Sequence, residues 1–99
     1  MASQQLKVKS KVALVEVIKH LEHLVTSLKE GQLCIRKNDE VINLKPQDPV
    51  TLELEAEAKL EKDNLREKLV IELKWKKGEA VPMEGDSLSI SHLEPASEL

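Results

Sequence analysis

Two histidines three residues apart are the first side chains in this sequence whose types and spacing could do chemistry. His20 and His23 reach one surface if their segment is helical, and Glu16 lies about one turn before His20. Two imidazoles and a carboxylate can ligate a divalent cation. However, helical spacing places His23 opposite the apolar stripe and His20 on its flank, and no further ligand is evident on another element. We therefore predict no metal ligands and no cofactor.

The single cysteine, Cys34, is the next candidate, because a thiolate is a nucleophile when a histidine lies beside it. It alternates with Leu33 and Ile35, which favours an ordinary thiol on a strand. A single cysteine cannot form an internal disulfide. The three glycines are too scattered to form a phosphate-binding loop. We predict no catalytic residues and a protein that is not an enzyme, with a metal site or enzyme using His20, His23 or Cys34 as the alternative.

A basic cluster near the end of the last alternating stretch raises the question of nucleic-acid binding. The neighbouring stretch is rich in glutamate, and Trp75, the only aromatic residue, offers no series of rings for stacking bases. The net charge is −3, with +2 in residues 1–77 and −5 in residues 78–99. Nucleic-acid binding is therefore the weaker alternative. The cluster consists of Arg66, Lys68, Lys74, Lys76 and Lys77.

The composition is that of one small globular domain. The chain has 99 residues, of which 40% are hydrophobic and 33% charged. No apolar run approaches the roughly 18 residues that cross a bilayer, and the first residues lack the apolar region of a signal peptide. We therefore expect a cytoplasmic protein with no membrane partner.

One amphipathic helix is predicted between Lys11 and Glu30. Ser10 offers an N-cap hydroxyl, and Gly31 can close the helix in the left-handed conformation. Val12 and Val15 fall on the polar side and must be exposed or covered by a partner. The apolar stripe consists of Leu14, Ile18, Leu21, Leu24, Val25 and Leu28, with Val17 on its margin.

Period-two alternation predicts five strands around this helix. A short strand covers residues 6–9. Residues 33–37 and 41–44 form a hairpin around Asn38 and Asp39, and Pro46 and Pro49 end it. Two long strands follow, over residues 50–60 and 65–75, joined by a turn at residues 61–64.

The apolar faces of the two long strands match if Leu60 lies opposite Leu65. In that register Glu57 faces Lys68, but Glu53 faces Glu72 and Lys59 faces Arg66. The charges therefore do not select the register, and a slip by two residues stays open.

The predicted fold is α+β in two layers, with one helix packed on a mostly antiparallel sheet of about five strands in the order β-α-β-β-β-β. Trp75 is expected to cover the edge of an aliphatic core, with its indole N–H reaching polar groups at the rim. Residues 1–4 are expected to be flexible, residues 5–77 to form the domain, and residues 78–99 to be a disordered acidic tail. Leu88, Ile90 and Leu93 could form a short docking segment in that tail.

The sequence resembles the amphi-Trp domain, a small prokaryotic family named for an amphipathic stretch that ends in Trp. The resemblance lies in the segment ending ELKW, the strand VTLELEAEA and a helix that closes on EG, over roughly residues 5–77. It implies the fold and supplies no catalytic residues, because the family carries no established activity. This chain departs from the family's more acidic pattern by placing Lys74, Lys76 and Lys77 around the Trp.

The lengths of the elements suggest that one chain cannot cover its own apolar surface. Strands of 11 to 12 residues run about 40 Å, and a 20-residue helix covers about 30 Å. The uncovered apolar area around Leu60 and Leu65, or a free sheet edge, needs a second copy of the chain. We predict a homo-oligomer that acts as a protein-interaction module for an unidentified protein client.

Overall fold

The computed structural model describes residues 3–78 and 85–92. Its elements are one helix, α1 (Leu14–Glu30), followed by strands β1 (Leu33–Lys37), β2 (Glu40–Leu44), β3 (Thr51–Glu61) and β4 (Asn64–Lys74). The strands form two antiparallel two-stranded sheets, β1 with β2 and β3 with β4. The chain therefore has the predicted α+β composition.

Helix α1 begins at Leu14, later than the predicted start at Lys11. The N-cap residue is Ala13, which makes no side-chain capping bond, so the prediction of Ser10 as the N-cap is wrong. A helix starting at Lys11 would place lysine beside the positive end of the helix dipole. The observed start places Glu16 in the first turn instead, where its negative charge is favourable.

The end of α1 is as predicted. Gly31 has φ 80° and ψ 13°, which lies in the left-handed region. Its N–H donates to the carbonyl of Leu28, and the N–H of Gln32 donates to the carbonyl of Ser27, both at 3.2 Å. This pair of bonds is the Schellman arrangement, which satisfies carbonyls that the helix leaves unpaired.

The first hairpin confirms the prediction for residues 33–44. Leu33 lies opposite Leu44 and Ile35 opposite Ile42. Asn38 has φ 53° in the turn, a conformation that Asn tolerates better than most residues.

The second hairpin has the register that matches the apolar faces. Leu60 lies opposite Leu65, and the pairing runs from Thr51 opposite Lys74 to Glu61 opposite Asn64. The slip by two residues does not occur. Lys62 and Asp63 form the turn with φ 43° and 70°, and two successive positive φ values suit the right-handed twist of a hairpin.

Two separate sheets replace the predicted single sheet of about five strands. The segment between β2 and β3 contains Pro46 and Pro49, which have no N–H for a ladder. The predicted strand at residues 6–9 pairs with no neighbour in the described chain. Near it, the side chain of Gln4 donates to the carbonyl of Val41 at 3.3 Å. Alternation correctly predicts extended backbone, but it does not identify the partner strand.

The helix does not cover the second hairpin. It approaches β1, and no Cα atom of α1 comes within 8 Å of β3 or β4. None of the residues in the described ranges is buried. The predicted layer of helix on sheet is therefore incomplete in a single chain.

Trp75 lies one residue beyond β4 and is half-buried. The ring cannot close an aliphatic core, because the described part of the chain contains none. The indole N–H donates no hydrogen bond within that part of the chain, contrary to the prediction. A hydrogen bond joins the loop before β3 to the residue after Trp75: the Gln47 side chain donates to the carbonyl of Lys76 at 3.2 Å.

The two terminal predictions lie partly outside the described residues. Of the N-terminal residues 1–4, only Ser3 and Gln4 are described. Of the acidic segment 78–99, the structure describes Gly78 and residues 85–92, which form neither helix nor strand. Leu88 and Ile90 lie in that stretch and are exposed, whereas Leu93 lies outside the described residues.

Candidate interaction surface

The predicted metal ligands lie on the exposed surface of α1. Glu16, His20 and His23 are all exposed, as the helical spacing predicts. Within residues 3–78 and 85–92, no group of three or more His, Cys, Asp or Glu side chains is close enough to hold a metal ion.

Cys34 lies on a different element from the histidines. It is exposed on β1, opposite Asn43 of β2, and its thiol is free. The sequence therefore correctly places this thiol on a strand. No described hydrogen bond joins it to His20 or His23 on α1.

The basic residues of the last strand are distributed over more than one place. Arg66 and Lys68 lie on the polar face of β4, opposite Lys59 and Glu57. The Lys74 Nζ forms an ion pair with Glu72 Oε1 at 3.4 Å. Lys76 and Lys77 follow the end of the strand.

The apolar stripe of α1 is exposed over most of its length. Leu14 is 72% exposed, and the row continues through Ile18, Leu21 and Val25, which are also exposed. Only Leu24 and Leu28, near the end that approaches β1, are half-buried. The spacing of the exposed row keeps it on one side of the helix.

The apolar face of the β3–β4 hairpin is the second uncovered surface. Leu60 is 75% exposed and Leu65, directly opposite, is 63% exposed. Exposure is lower at the other end, where Leu54 and Leu73 are half-buried. Glu67, opposite Ala58, interrupts the face. Its other exposed members are Leu52, Ala56, Leu69 and Ile71.

The polar face of this hairpin is net negative in the half away from the turn (the acidic half), which also contains Lys74, and net positive in the half nearer the turn (the basic half), which also contains Glu57 and Glu61. The acidic half contains the facing pair Glu53 and Glu72, together with Glu55. The basic half, nearer the turn, contains the facing pair Lys59 and Arg66. Sequence reasoning noted the like-charge pairs but not this division, which becomes visible once residues are ordered by register.

Two open clefts lie on the surface of the described part of the chain. One, of about 610 Å³, separates residues 7–10 from the first hairpin turn and includes Lys7, Lys9 and Lys37 in its lining. The other, of about 480 Å³, lies on the β3–β4 hairpin around Ala56 and Leu69. Both are wide surface depressions, unlike the enclosed, mostly apolar pockets of small-molecule sites.

No helix in residues 3–78 and 85–92 combines the length and apolarity needed to cross a bilayer. This finding concerns α1, the one helix of the described chain, which carries charged residues on its polar side.

The fold and surfaces define a class of small α+β domain in which one amphipathic helix precedes two antiparallel hairpins, the second ending at a tryptophan. The family model of the Amphi-Trp domain matches residues 1–91, which is most of the chain. The protein belongs to the Amphi-Trp domain family. Comparisons with curated proteins and with solved structures gave no match.

Proposed function

We propose that this protein is a non-enzymatic, self-associating interaction module whose apolar surfaces are covered in a homo-oligomer. The observation that supports this proposal is the lack of any buried residue among those described. Burial of apolar side chains is the dominant favourable term in folding. A helix and two hairpins without a core therefore need another chain to offset the entropy of ordering them.

The accessible surface sets an upper limit on the missing contact. The chain exposes 10,045 Å², whereas a compact monomer of this mass exposes about 5,700 Å². The excess is about 4,300 Å² per copy, a figure that includes the surface of the residues outside the helix and the hairpins. Obligate interfaces bury roughly 2,000–5,000 Å² or more in total. The surface is thus ample for an obligate assembly.

The proposed assembly completes the predicted two-layer fold between chains. The stripe of α1 is exposed, and so is the apolar face of the β3–β4 hairpin. Helix on sheet is a stable way to bury both kinds of surface. In the proposal, the helices of two copies cover a sheet to which both copies contribute strands. Trp75 then lies at the margin of the shared core, where an amphipathic ring is favourable.

The proposed setting is the cytoplasm, where a lone thiol such as Cys34 stays reduced. An unidentified protein client is part of the proposal. The alternatives remain hypotheses with a direct test. A metal site would give saturable shifts of the His20 and His23 NMR signals during zinc titration, and nucleic-acid binding would give salt-sensitive gel retardation. We expect neither response.

Sedimentation equilibrium of the full chain and two helix variants tests the proposal. Ile18→Ala removes apolar atoms from the exposed stripe, and Lys19→Ala is a matched change on the polar side. Burial in an assembly predicts that Ile18→Ala costs about 2 kcal/mol or more per copy, which for a dimer is about 4 kcal/mol or a roughly 1,000-fold weaker association, and that Lys19→Ala has little effect. A monomeric wild type, or equal effects of the two substitutions, would contradict the proposal.

A further inference from the structure

The starting observation is a conflict between charge and register in the β3–β4 hairpin. Glu53 faces Glu72, and Lys59 faces Arg66. Like charges directly opposite each other on one face of a sheet are destabilising. The apolar face fixes this register, so the hairpin accepts two repulsive pairs.

The two repulsive pairs are placed symmetrically along the hairpin. The central row of the ladder is Ala56 opposite Leu69, with five paired rows on each side. The acidic pair lies three rows from the centre on one side, and the basic pair lies three rows from it on the other. If a second hairpin lies beside the first and is rotated by 180° about the centre of the ladder, the basic pair of each hairpin therefore lies in the same row as the acidic pair of the other.

We propose that two copies of the chain pair through their β4 edges, antiparallel, about a two-fold axis at Leu69. This inference rests on the proposed self-association and identifies its surface. Each hairpin is a separate two-stranded sheet, so β4 has one edge with no strand partner in the described chain. The result is a four-stranded sheet in the order β3, β4, partner β4, partner β3.

Full overlap of the two 11-residue strands fixes the register of this contact. Asn64 then lies opposite the partner's Lys74, and Arg66 lies opposite the partner's Glu72. The two-fold axis repeats each contact. Every row with a repulsive pair gains the opposite repulsive pair beside it, so that two carboxylates adjoin two cations. Opposite charges in facing positions stabilise a sheet.

The same register matches the apolar face. Leu65 lies opposite the partner's Leu73, and Leu69 lies opposite the partner's Leu69. The outermost apolar rows become rows of four leucines: Leu52 and Leu73 with the partner's Leu65 and the partner's Leu60. One imperfect pair remains, because Glu67 lies opposite the partner's Ile71. Both hairpins present their apolar faces on the same side of the sheet, where the α1 stripes can cover them.

The β3 edge fits less well. At full overlap it places Glu55 opposite the partner's Glu57, a new repulsive contact that the two-fold axis doubles. Its centre pairs Ala56 with the partner's Ala56, which bury less surface than two leucines. The β4 edge has no facing pair of like charge between the copies.

The described ion pairs leave the relevant groups available. Lys59 Nζ bonds Glu61 Oε1 at 3.1 Å, and Lys74 Nζ bonds Glu72 Oε1 at 3.4 Å, both along one strand and largely exposed. Glu53 and Arg66 form no ion pair with any described residue. Exposed pairs of this kind contribute little, so exchanging them for contacts across the edge costs little.

Charge reversal on β4, with β3 as the matched control, tests the edge. Glu72→Lys turns the contact with the partner's Arg66 from attraction to repulsion, and Arg66→Glu does the same from the other side. Within the hairpin, each change replaces a repulsive pair by an attractive one, so failure to fold is not the expected cause of dissociation. Glu53→Lys and Lys59→Glu make the same improvements but lie away from the β4 edge.

Sedimentation velocity of each variant, alone and mixed, gives the readout. We expect Glu72→Lys and Arg66→Glu each to raise the dissociation constant by roughly tenfold or more, because two contacts change sign per dimer. A mixture of the two should form a heterodimer, since the lysine introduced at position 72 of one chain then faces the glutamate introduced at position 66 of the other. The β3 variants should associate at least as tightly as wild type, because they gain the same attraction within the hairpin and lose no contact across the β4 edge.

The other outcomes overturn the inference in distinguishable ways. If all four variants associate like wild type, the β4 edge is not the contact, although self-association stands. If only the β3 variants dissociate and complement each other, the β3 edge is the contact instead. If wild type itself is a monomer, the proposed function fails and this inference fails with it.

Discussion

Leu60 lies directly opposite Leu65 in the last apolar row before the turn of the second hairpin. This pairing determines which residues share each face along both 11-residue strands. A shift by one residue would move every apolar side chain to the other face. The same register also determines which charged residues face each other, including the two pairs of like charge. The proposed pairing of two copies through β4 depends on this register.

Reversing one charge in a repulsive row should stabilise the hairpin. Glu53→Lys places a cation opposite Glu72 and is expected to raise the free energy of unfolding by about 0.5–1 kcal/mol. Glu57→Lys is the matched control, because Glu57 already faces Lys68 and the change creates a repulsive pair. Urea denaturation at one fixed protein concentration measures both. Destabilisation by Glu53→Lys would show that the two glutamates do not repel each other in the folded protein.

A second prediction concerns the end of the helix. Gly31→Ala should lower the free energy of unfolding by about 1–2 kcal/mol, because Gly31 has φ 80° and a Cβ is strained there. Space is not the reason, since no atom lies within 4 Å of where that Cβ would be. Gly31→Asn should recover part of the loss, because Asn tolerates the left-handed region. Equal losses for Ala and Asn in thermal unfolding would argue against this explanation.

Cysteine cross-linking tests the two-fold axis independently of charge. In a Cys34→Ser background, Leu69→Cys should form a covalent dimer on mild oxidation, because facing Cα atoms in an antiparallel ladder lie about 5.5 Å apart, within disulfide range. Ala56→Cys is the matched control at the centre of β3. Non-reducing gel electrophoresis over time compares the two rates. Faster cross-linking of the Ala56→Cys variant would place the β3 edges together.

The features that could be predicted from the sequence are those fixed by local chemistry. Gly31 ends α1 because the left-handed conformation suits glycine, and the apolar alternation fixes the Leu60–Leu65 register. The prediction of Ser10 as the N-cap is wrong: the helix begins at Leu14, after Ala13, and this start keeps Lys11 out of the first turn and places Glu16 in it.

The sheet partners could not be predicted, because alternation describes one strand and says nothing of its neighbour. Residues 6–9 alternate but pair with no strand in the described chain. For the same reason, only part of the proposed β4 contact could be predicted from the sequence. The like-charge rows could be read from the sequence, whereas the free edge beside them required the topology.

The concentration dependence of thermal unfolding is the decisive measurement for self-association, because an oligomer that folds only on association is stabilised by mass action. For a dimer of this length, each tenfold increase in protein concentration should raise the midpoint of helix loss by about 4 °C. Circular dichroism from low to high micromolar concentration measures this. A midpoint that stays constant over that range, with full helix content at the lowest concentration, would show that the single chain folds alone and would contradict the proposed homo-oligomer.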